Sequence, residues 1–164
     1  MERRKFFLRL SSYNYSNSGA YFITICSYKR EEIFGEITNN LMHLNDFGKI
    51  IHDCWFQIPD NYQNIKLDDF VIMPNHMHGT IRIVGVIREL PLRIERRKML
   101  ISKIIGRFKM NSSKLINNIH NTKGSHVWQR SYYDHIIRNE TDLNNTKVYI
   151  QNNPINWDKN EYAC

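Results

Sequence analysis

The sequence predicts an α+β fold in which an antiparallel sheet is flanked by helices. Short segments rich in β-branched and aromatic residues alternate with three segments of helical periodicity. Two predicted strands, 67–73 and 76–84, are separated only by Pro74-Asn75, which is turn chemistry. The length of 164 residues is enough for a single domain, 1–164, whose core needs no disulfide or structural metal.

The first half of the chain contains further strand signals and one helix signal. The segment 21–28, YFITICSY, is typical of a buried strand. A weaker strand candidate, 36–44, follows Gly35. Asn45 is suited to cap a helix that runs to about Gln57, because apolar residues recur there at helical spacing.

The second half contains two predicted helices and one predicted strand. The segment from Arg96 to about Asn118 has an apolar stripe opposite its basic residues, which is typical of a surface helix. A short strand is predicted at 133–138. Asn139 then caps a last helix, which ends at the Asn-Pro of 153–154 because the residue before proline disfavours the helical conformation.

The formal net charge of +7 favours an acidic partner, either nucleic acid or an anionic membrane surface. The positive charge is concentrated between residues 96 and 133, which contain nine basic and no acidic residues. A basic surface without a partner is the alternative interpretation. The cations assigned to nucleic-acid contact are Arg96, Arg97, Lys103, Arg107, Lys109, Lys114 and Arg130.

Several classes of protein are disfavoured. The three cysteines are far apart and form no C-x-x-C pair, so neither a disulfide framework nor a cysteine zinc site is indicated. The sequence has no apolar run of bilayer length and no signal-peptide pattern. A cytoplasmic protein with no membrane partner is the simplest expectation.

Two histidines stand two residues apart in MPNHMHG, at the start of a predicted strand. Alternate side chains of a strand share a face, so His76 and His78 are expected opposite Met77 and Gly79. Their Cβ atoms would lie roughly 6–7 Å apart, close enough for both imidazoles to bind one metal ion. A locally hydrogen-bonded pair without a metal is the alternative.

In the last helix, Tyr149 and Asn153 are four residues apart and therefore share a face. Two imidazoles and an amide oxygen could hold a metal that polarises a phosphodiester, and the phenol could attack the phosphorus. A tyrosine pKa of about 10 leaves roughly a thousandth of the phenol ionised at pH 7, so such help is needed. Nine tyrosines compete for this role, Tyr132 and Tyr133 foremost.

MPNHMHG, VWQRSYYDHIIRN and YIQNNP, in that order and spacing, resemble the single-tyrosine HUH transposases. Within that group the chain is most similar to the REP-associated tyrosine transposases, relatives of the IS200/IS605 enzymes. GAYFITICSYKR, FGEI, LNDFGKI and NNPINW extend the resemblance over nearly the whole chain. The resemblance implies a ferredoxin-like antiparallel sheet flanked by helices.

The resemblance also implies an activity: metal-dependent nicking and rejoining of single-stranded or hairpin DNA. It assigns His76, His78 and Asn153 to binding Mg²⁺ or Mn²⁺, and Tyr149 to a 5′-phosphotyrosine link. Asn153 stands where IS200/IS605 enzymes carry a glutamine. Recognition of imperfect DNA hairpins is a further family property, and the basic 96–133 segment is the candidate surface for it.

Two other functions remain open at this point: a non-catalytic nucleic-acid-binding module, and a metal-dependent phosphoesterase that uses water. A monomer and a homodimer are both open, because the resembling enzymes complete their sites either within one chain or between two. For His126, a structural or DNA-backbone role is preferred to metal binding. Asp134 could orient a ligand or neutralise a cation, or be a polar surface residue without a role in the site. The role of His135 is left open.

Overall fold

The computed structural model describes residues 19–84 and 100–159. Its strands are β1 (Gly19–Cys26), β2 (Gly35–Thr38), β3 (Leu41–Leu44), β4 (Ile65–Met73), β5 (His76–Ile83) and β6 (Tyr133–Ile137). Its α-helices are α1 (Asp46–Phe56), α2 (Ile58–Asn61), α3 (Leu100–His120) and α4 (Glu140–Asn152). Two 3₁₀ turns, Tyr28–Arg30 and Trp157–Lys159, complete the secondary structure of this part of the chain.

A four-stranded antiparallel sheet in the order β4-β5-β1-β6 forms the centre of the fold. Helices α1 and α3 cover one face, where Trp55 of α1 packs on Phe108 of α3 with ring centroids 5.5 Å apart. Helix α4 lies on the other face, where its Tyr149 ring contacts the ring of His78 on β5. The predicted α+β, ferredoxin-like class is confirmed.

The single strand predicted over 36–44 is wrong. The segment is instead a hairpin of β2 and β3, with Gly35 opposite Leu44. Asn39 and Asn40 form its turn with φ of 53° and 61°. Asparagine tolerates this left-handed conformation. A two-residue turn with positive φ at both positions has a backbone twist that matches the twist of the two strands it connects. The Asn-Asn pair was the signal for this turn.

Asparagine caps begin both helices where the sequence predicts them. Asn45 Oδ1 accepts hydrogen bonds from the backbone N–H groups of Phe47 and Gly48, each at 3.0 Å. Asn139 Oδ1 accepts from Asp142 N–H at 2.8 Å. Helix α3 is described from Leu100, so the predicted start at Arg96 lies outside the described residues. Within 19–84 and 100–159, no helix has the length and apolar character needed to cross a membrane.

Gly79 lets the α1 helix approach the sheet directly behind the histidines. A Cβ atom there would lie 2.4 Å from Cζ2 of Trp55, whose side chain is fully buried. The absence of a side chain at this position is therefore a requirement of the core rather than of the local backbone.

Gly79→Ala is expected to destabilise the protein by about 1–3 kcal/mol, because the tight core must shift to admit one methyl group. The loss is measured as a lower urea midpoint with an unchanged m-value. Gly106→Ala is the matched control. It lies in α3, where no atom other than its chain neighbours and the backbone of its own helix comes within 4 Å of the added Cβ. The substitution should be stabilising by up to about 1 kcal/mol. Equal midpoints for the two variants would contradict this account of Gly79.

Candidate metal and tyrosine site

The histidine pair, His76 and His78, lies on the face of β5 that α4 covers. Met77 and Gly79 point to the opposite face, toward α1 and α3, which confirms the predicted alternation. On the neighbouring strand β1, Cys26 stands opposite His76, and Thr24 stands opposite His78. Both histidines are buried.

Each imidazole is oriented by a hydrogen bond at Nδ1. His76 Nδ1 lies 2.8 Å from Asn75 Oδ1, and His78 Nδ1 lies 2.8 Å from Thr24 Oγ1. A carbonyl oxygen only accepts, so His76 carries its proton on Nδ1 and presents a lone pair at Nε2. This arrangement, in which one ring nitrogen is held and the other is presented, is typical of metal-binding histidines.

Both imidazoles are neutral at physiological pH. Burial lowers the pKa of His76 to about 3, a hydrogen bond with the Asn153 side chain opposes that shift, and the Arg30 charge adds to it. Burial, and then repulsion between the protonated forms of the two rings, lower the pKa of His78 well below its ordinary value. Neutral imidazole is the form that binds a metal ion.

The two presented nitrogens converge, with His76 Nε2 lying 3.1 Å from His78 Nε2. Adjacent ligand atoms of an octahedral ion at about 2.1 Å lie roughly 3 Å apart, so the spacing fits one shared divalent ion. No group of three His, Cys, Asp or Glu side chains suited to a metal occurs in the described part of the chain. Asn153 is buried and its side chain forms a hydrogen bond with His76, so an amide group lies beside the two presented nitrogens.

Helix α4 carries Tyr149 to the histidine pair of the same chain. Tyr149 Oη lies 3.4 Å from His78 Nε2. Phe22 of β1 stacks on the His78 ring at 5.1 Å and meets the Tyr149 ring edge-on at 5.9 Å. Tyr149 is 44% exposed, so a ligand can reach it from solvent.

The start of α4 is held to β6 through Asp142. Its carboxylate accepts from His135 Nε2 at 2.9 Å and from the backbone N–H of Arg138 at 3.1 Å. His135, whose role was open, thus has a structural partner. Asp134 precedes His135 on β6 and therefore lies on the other face of the sheet. Its cross-strand partner on β1 is Ile23. His126 contacts the Tyr28 ring at 5.1 Å.

The structure separates the predicted DNA-binding cations into groups. Lys103, Arg107 and Lys114 are exposed on α3, across the sheet from the histidine pair. Arg130 is exposed in the segment between α3 and β6. Neighbouring residues of that segment pair with the end of β1, where Gln129 N–H donates to Cys26 O at 3.0 Å. Arg96 and Arg97 lie outside the described residues.

Lys109 differs from the other cations because the protein itself engages its ammonium. Lys109 Nζ donates to the carbonyl oxygens of Ser131 and Gln129 at 2.8 and 2.9 Å, and lies 5.8 Å from the centroid of the Tyr132 ring. Burial lowers its pKa to about 8, opposed by Cys26. These contacts show a structural role for Lys109, and its assignment to DNA stays a prediction.

Four further side chains of the site escaped sequence reasoning: Phe22, Thr24, Asn75 and Trp157. The Trp157 ring lies parallel to that of His76, with centroids 6.0 Å apart. Asn75 precedes His76 directly, so its position was a usable signal. Thr24 and Phe22 could be identified only with the β1–β5 register, which joins segments far apart in the chain.

Comparison with known proteins identifies the family. The profile of the family described as "Transposase IS200 like" matches residues 14–153. An uncharacterized protein of Haemophilus influenzae is 40% identical over 94% of this chain and 90% of its own length. A second protein of that organism, described as a candidate REP-associated tyrosine transposase, is 24% identical over 87% of this chain and 73% of its own.

Among solved structures, the chain is similar in fold to a REP-associated tyrosine transposase bound to a REP hairpin. The TM-score is 0.53 at 17% identity, and the match covers 94% of this chain and 73% of that one. The chain therefore belongs to the IS200-like transposase family, and its function is of the transposase type.

Proposed function

We propose that the protein nicks and rejoins single-stranded or hairpin DNA through a covalent link to Tyr149. The observation that carries this proposal is the convergence of three groups from two elements. Tyr149 Oη lies 3.4 Å from His78 Nε2, which itself lies 3.1 Å from His76 Nε2. A nucleophile is thus held beside two neutral metal-binding nitrogens.

In the proposed reaction, Tyr149 Oη attacks the phosphorus of a phosphodiester and loses its proton. The bond from phosphorus to the 3′-oxygen breaks, and that oxygen leaves as a 3′-hydroxyl after taking up a proton. The products are a 5′-phosphotyrosine and a free 3′-hydroxyl. Attack of a 3′-hydroxyl on the same phosphorus reverses the step and reseals a strand, because the bond energy is retained in the link.

We propose His76, His78 and Asn153 as the ligands of Mg²⁺ or Mn²⁺. When bound, the ion supplies Lewis acidity that draws charge from the phosphate oxygens. The mixed nitrogen and oxygen donor set suits a divalent ion that also takes phosphate oxygens. Asn75 and Thr24 keep the imidazoles oriented, and Phe22 restricts the Tyr149 ring. Orientation of this kind is a large part of covalent catalysis.

Because Tyr149 and the histidine pair meet within one chain, the site is proposed to be complete in a monomer. Residues 1–164 would form one domain with this activity. A homodimer is compatible with the proposal but is not needed for it.

DNA recognition is proposed to use the exposed cations of α3 together with Arg130. Helix α3 and the histidine pair lie on opposite faces of the sheet, so DNA that contacts both must pass an edge of the sheet. Arg130 lies on the segment that leads from α3 toward β6, beside the end of β1. A hairpin with a single-stranded extension has the shape to follow that path, and a related protein was solved with a REP hairpin bound.

Reversing both Lys103 and Arg107 to Glu is expected to weaken binding of a single-stranded 30-mer and to flatten its salt dependence. Each lost phosphate contact should reduce the log–log slope by about 0.7. Fluorescence anisotropy at several salt concentrations measures the slope. The matched control reverses the exposed Lys49 and Lys66, which changes the net charge equally but lies elsewhere. Equal losses in both double variants would contradict α3 as the binding surface.

The proposed function is tested by trapping the covalent link. A randomised single-stranded 40-mer with a 3′ fluorophore is incubated with the protein and Mn²⁺, then separated on a denaturing gel. Because the link retains the 3′ fragment, a fluorescent protein band is expected, and it should be absent with a chelator. Cleaved DNA without such a band would indicate a water-using phosphoesterase. Binding without cleavage would indicate a nucleic-acid-binding module.

A further inference from the structure

The turn after β1 lies directly against the start of the histidine-bearing strand. Ser27 N–H donates to Asn75 O at 2.8 Å, and Phe34 N–H donates to Pro74 O at 3.0 Å. Both acceptors belong to the turn that immediately precedes His76. Residues 27–34 are therefore held at two points beside the site.

The turn after β1 has an uncommon backbone conformation at two successive positions. Lys29 has a φ of 55° and Arg30 a φ of 60°, which is the left-handed region that side chains with a Cβ disfavour. Such conformations persist only where surrounding contacts impose them, and they cluster at functional sites.

Several hydrogen bonds impose the conformation here. Arg30 N–H donates to Ser27 O at 3.1 Å, and Ser27 Oγ donates to Glu31 O at 2.7 Å. Tyr28 N–H donates to Val127 O at 2.8 Å, which joins the turn to the segment that carries Arg130. The backbone of Arg30 is thus fixed on several sides.

The backbone contacts of the turn place Arg30 close to the site. Ser27, three residues before Arg30, donates to the carbonyl oxygen of Asn75, which directly precedes His76. Arg30 is half-buried, whereas the adjacent Lys29 is exposed and directed over the Tyr28 ring, 5.4 Å from its centroid. Of the two cations in the turn, Arg30 is therefore the one that packs against the protein beside the histidine-bearing strand.

We infer that Arg30 is a further catalytic residue, whose guanidinium binds the scissile phosphate beside the histidine pair and stabilises charge that develops on it during attack by Tyr149. This inference rests on the proposed function. Guanidinium is the cation best matched to phosphate oxygens, since it donates two parallel hydrogen bonds. A fixed donor aimed at developing charge is among the largest contributions a side chain makes to catalysis. The strained, pinned turn supplies the fixation.

Four proteins test the inference: wild type, Arg30→Gln, Arg30→Lys and Lys29→Gln. The rate of covalent adduct formation is measured with enzyme in excess over the 3′-labelled randomised 40-mer in Mn²⁺. Arg30→Gln should slow the adduct by about 100-fold or more, the usual loss for one such donor. Arg30→Lys should recover part of the rate because it keeps the charge. Lys29→Gln removes a charge from the same turn and should stay within about threefold of wild type.

Two further measurements separate catalysis from structure: the thermal midpoint, and Mn²⁺ affinity by electron paramagnetic resonance. For Arg30→Gln both should be retained, and Mn²⁺ affinity should not fall, because a nearby positive charge has been removed. Loss of Mn²⁺ binding or of the folded state in parallel with the rate would overturn a catalytic role in favour of a structural one.

The outcomes also distinguish this inference from the proposed function. A wild-type adduct that forms equally fast in Arg30→Gln would overturn the role of Arg30 and leave the proposed function standing. No adduct from the wild-type protein would overturn both.

Discussion

Tyr149→Phe is expected to abolish the covalent protein–DNA adduct and all strand cleavage while leaving folding and DNA affinity intact. The substitution removes only the hydroxyl, whose described contact is the 3.4 Å approach to His78 Nε2. The ring contacts with Phe22 and His78 need no hydroxyl and should persist. Thermal midpoint and oligonucleotide affinity should therefore match wild type, and the fluorescent adduct band should fall below detection.

Tyr133→Phe is the matched control, because Tyr133 is the nearest rival in the sequence and lies opposite Thr24 on β6. It should leave the adduct intact. Mass spectrometry of the DNA-linked peptide gives an independent answer, since the link should be found on the peptide that contains Tyr149. A phosphotyrosyl link on the 131–138 peptide, with none on Tyr149, would overturn the assignment and leave α4 with a structural role only.

His76→Ala and His78→Ala should each abolish cleavage while most DNA binding remains. The reason is the division of labour in the structure: the imidazoles are buried and neutral, and the exposed cations lie elsewhere. Mg²⁺ or Mn²⁺ should support cleavage by the wild-type protein. Adduct yield and oligonucleotide affinity, measured on the same samples, test both halves of the prediction.

Further measurements sharpen this result. His43→Ala removes an exposed histidine of β3 and should have no effect on cleavage. Asn153→Ala should be milder than either change in the histidine pair, because water can replace one neutral oxygen ligand. Since both histidines are buried, each variant must also retain a cooperative thermal transition, so that lost activity is not lost folding. Undiminished cleavage in a chelator would show that the proposed metal role is wrong.

The features that depend on local chemistry could be predicted from the sequence. Asn45 and Asn139 begin their helices because a short polar side chain can satisfy free backbone N–H groups without any distant partner. The face of β5 that carries the histidine pair follows from the alternation of a strand. The order and spacing of three motifs identified the family, and the fold class followed from it. The hairpin at 35–44 was missed because the Asn39-Asn40 turn interrupts a segment that otherwise has strand composition.

The features that depend on strand pairing and burial were decided only by the tertiary structure. The charge state of His76 and His78 depends on burial under α4, which no local pattern encodes. Thr24 meets His78 through the β1–β5 register, and the turn that carries Arg30 is held against Pro74 and Asn75, directly before His76.

The basic residues show most clearly the difference between what the sequence predicts and what the tertiary structure decides. The sequence located the charge in the 96–133 segment, but the face of the sheet on which α3 packs was set by its apolar stripe, chiefly Ile101, Ile104, Ile105 and Phe108. Burying that stripe against α1 and the sheet stabilises the fold, and it leaves Lys103 and Arg107 across the sheet from Tyr149. The sequence by itself determined the family, the fold class, the helix caps and the residues with suitable chemistry. The tertiary structure decided which of those residues meet, because their contacts depend on pairing and packing between segments far apart in the chain.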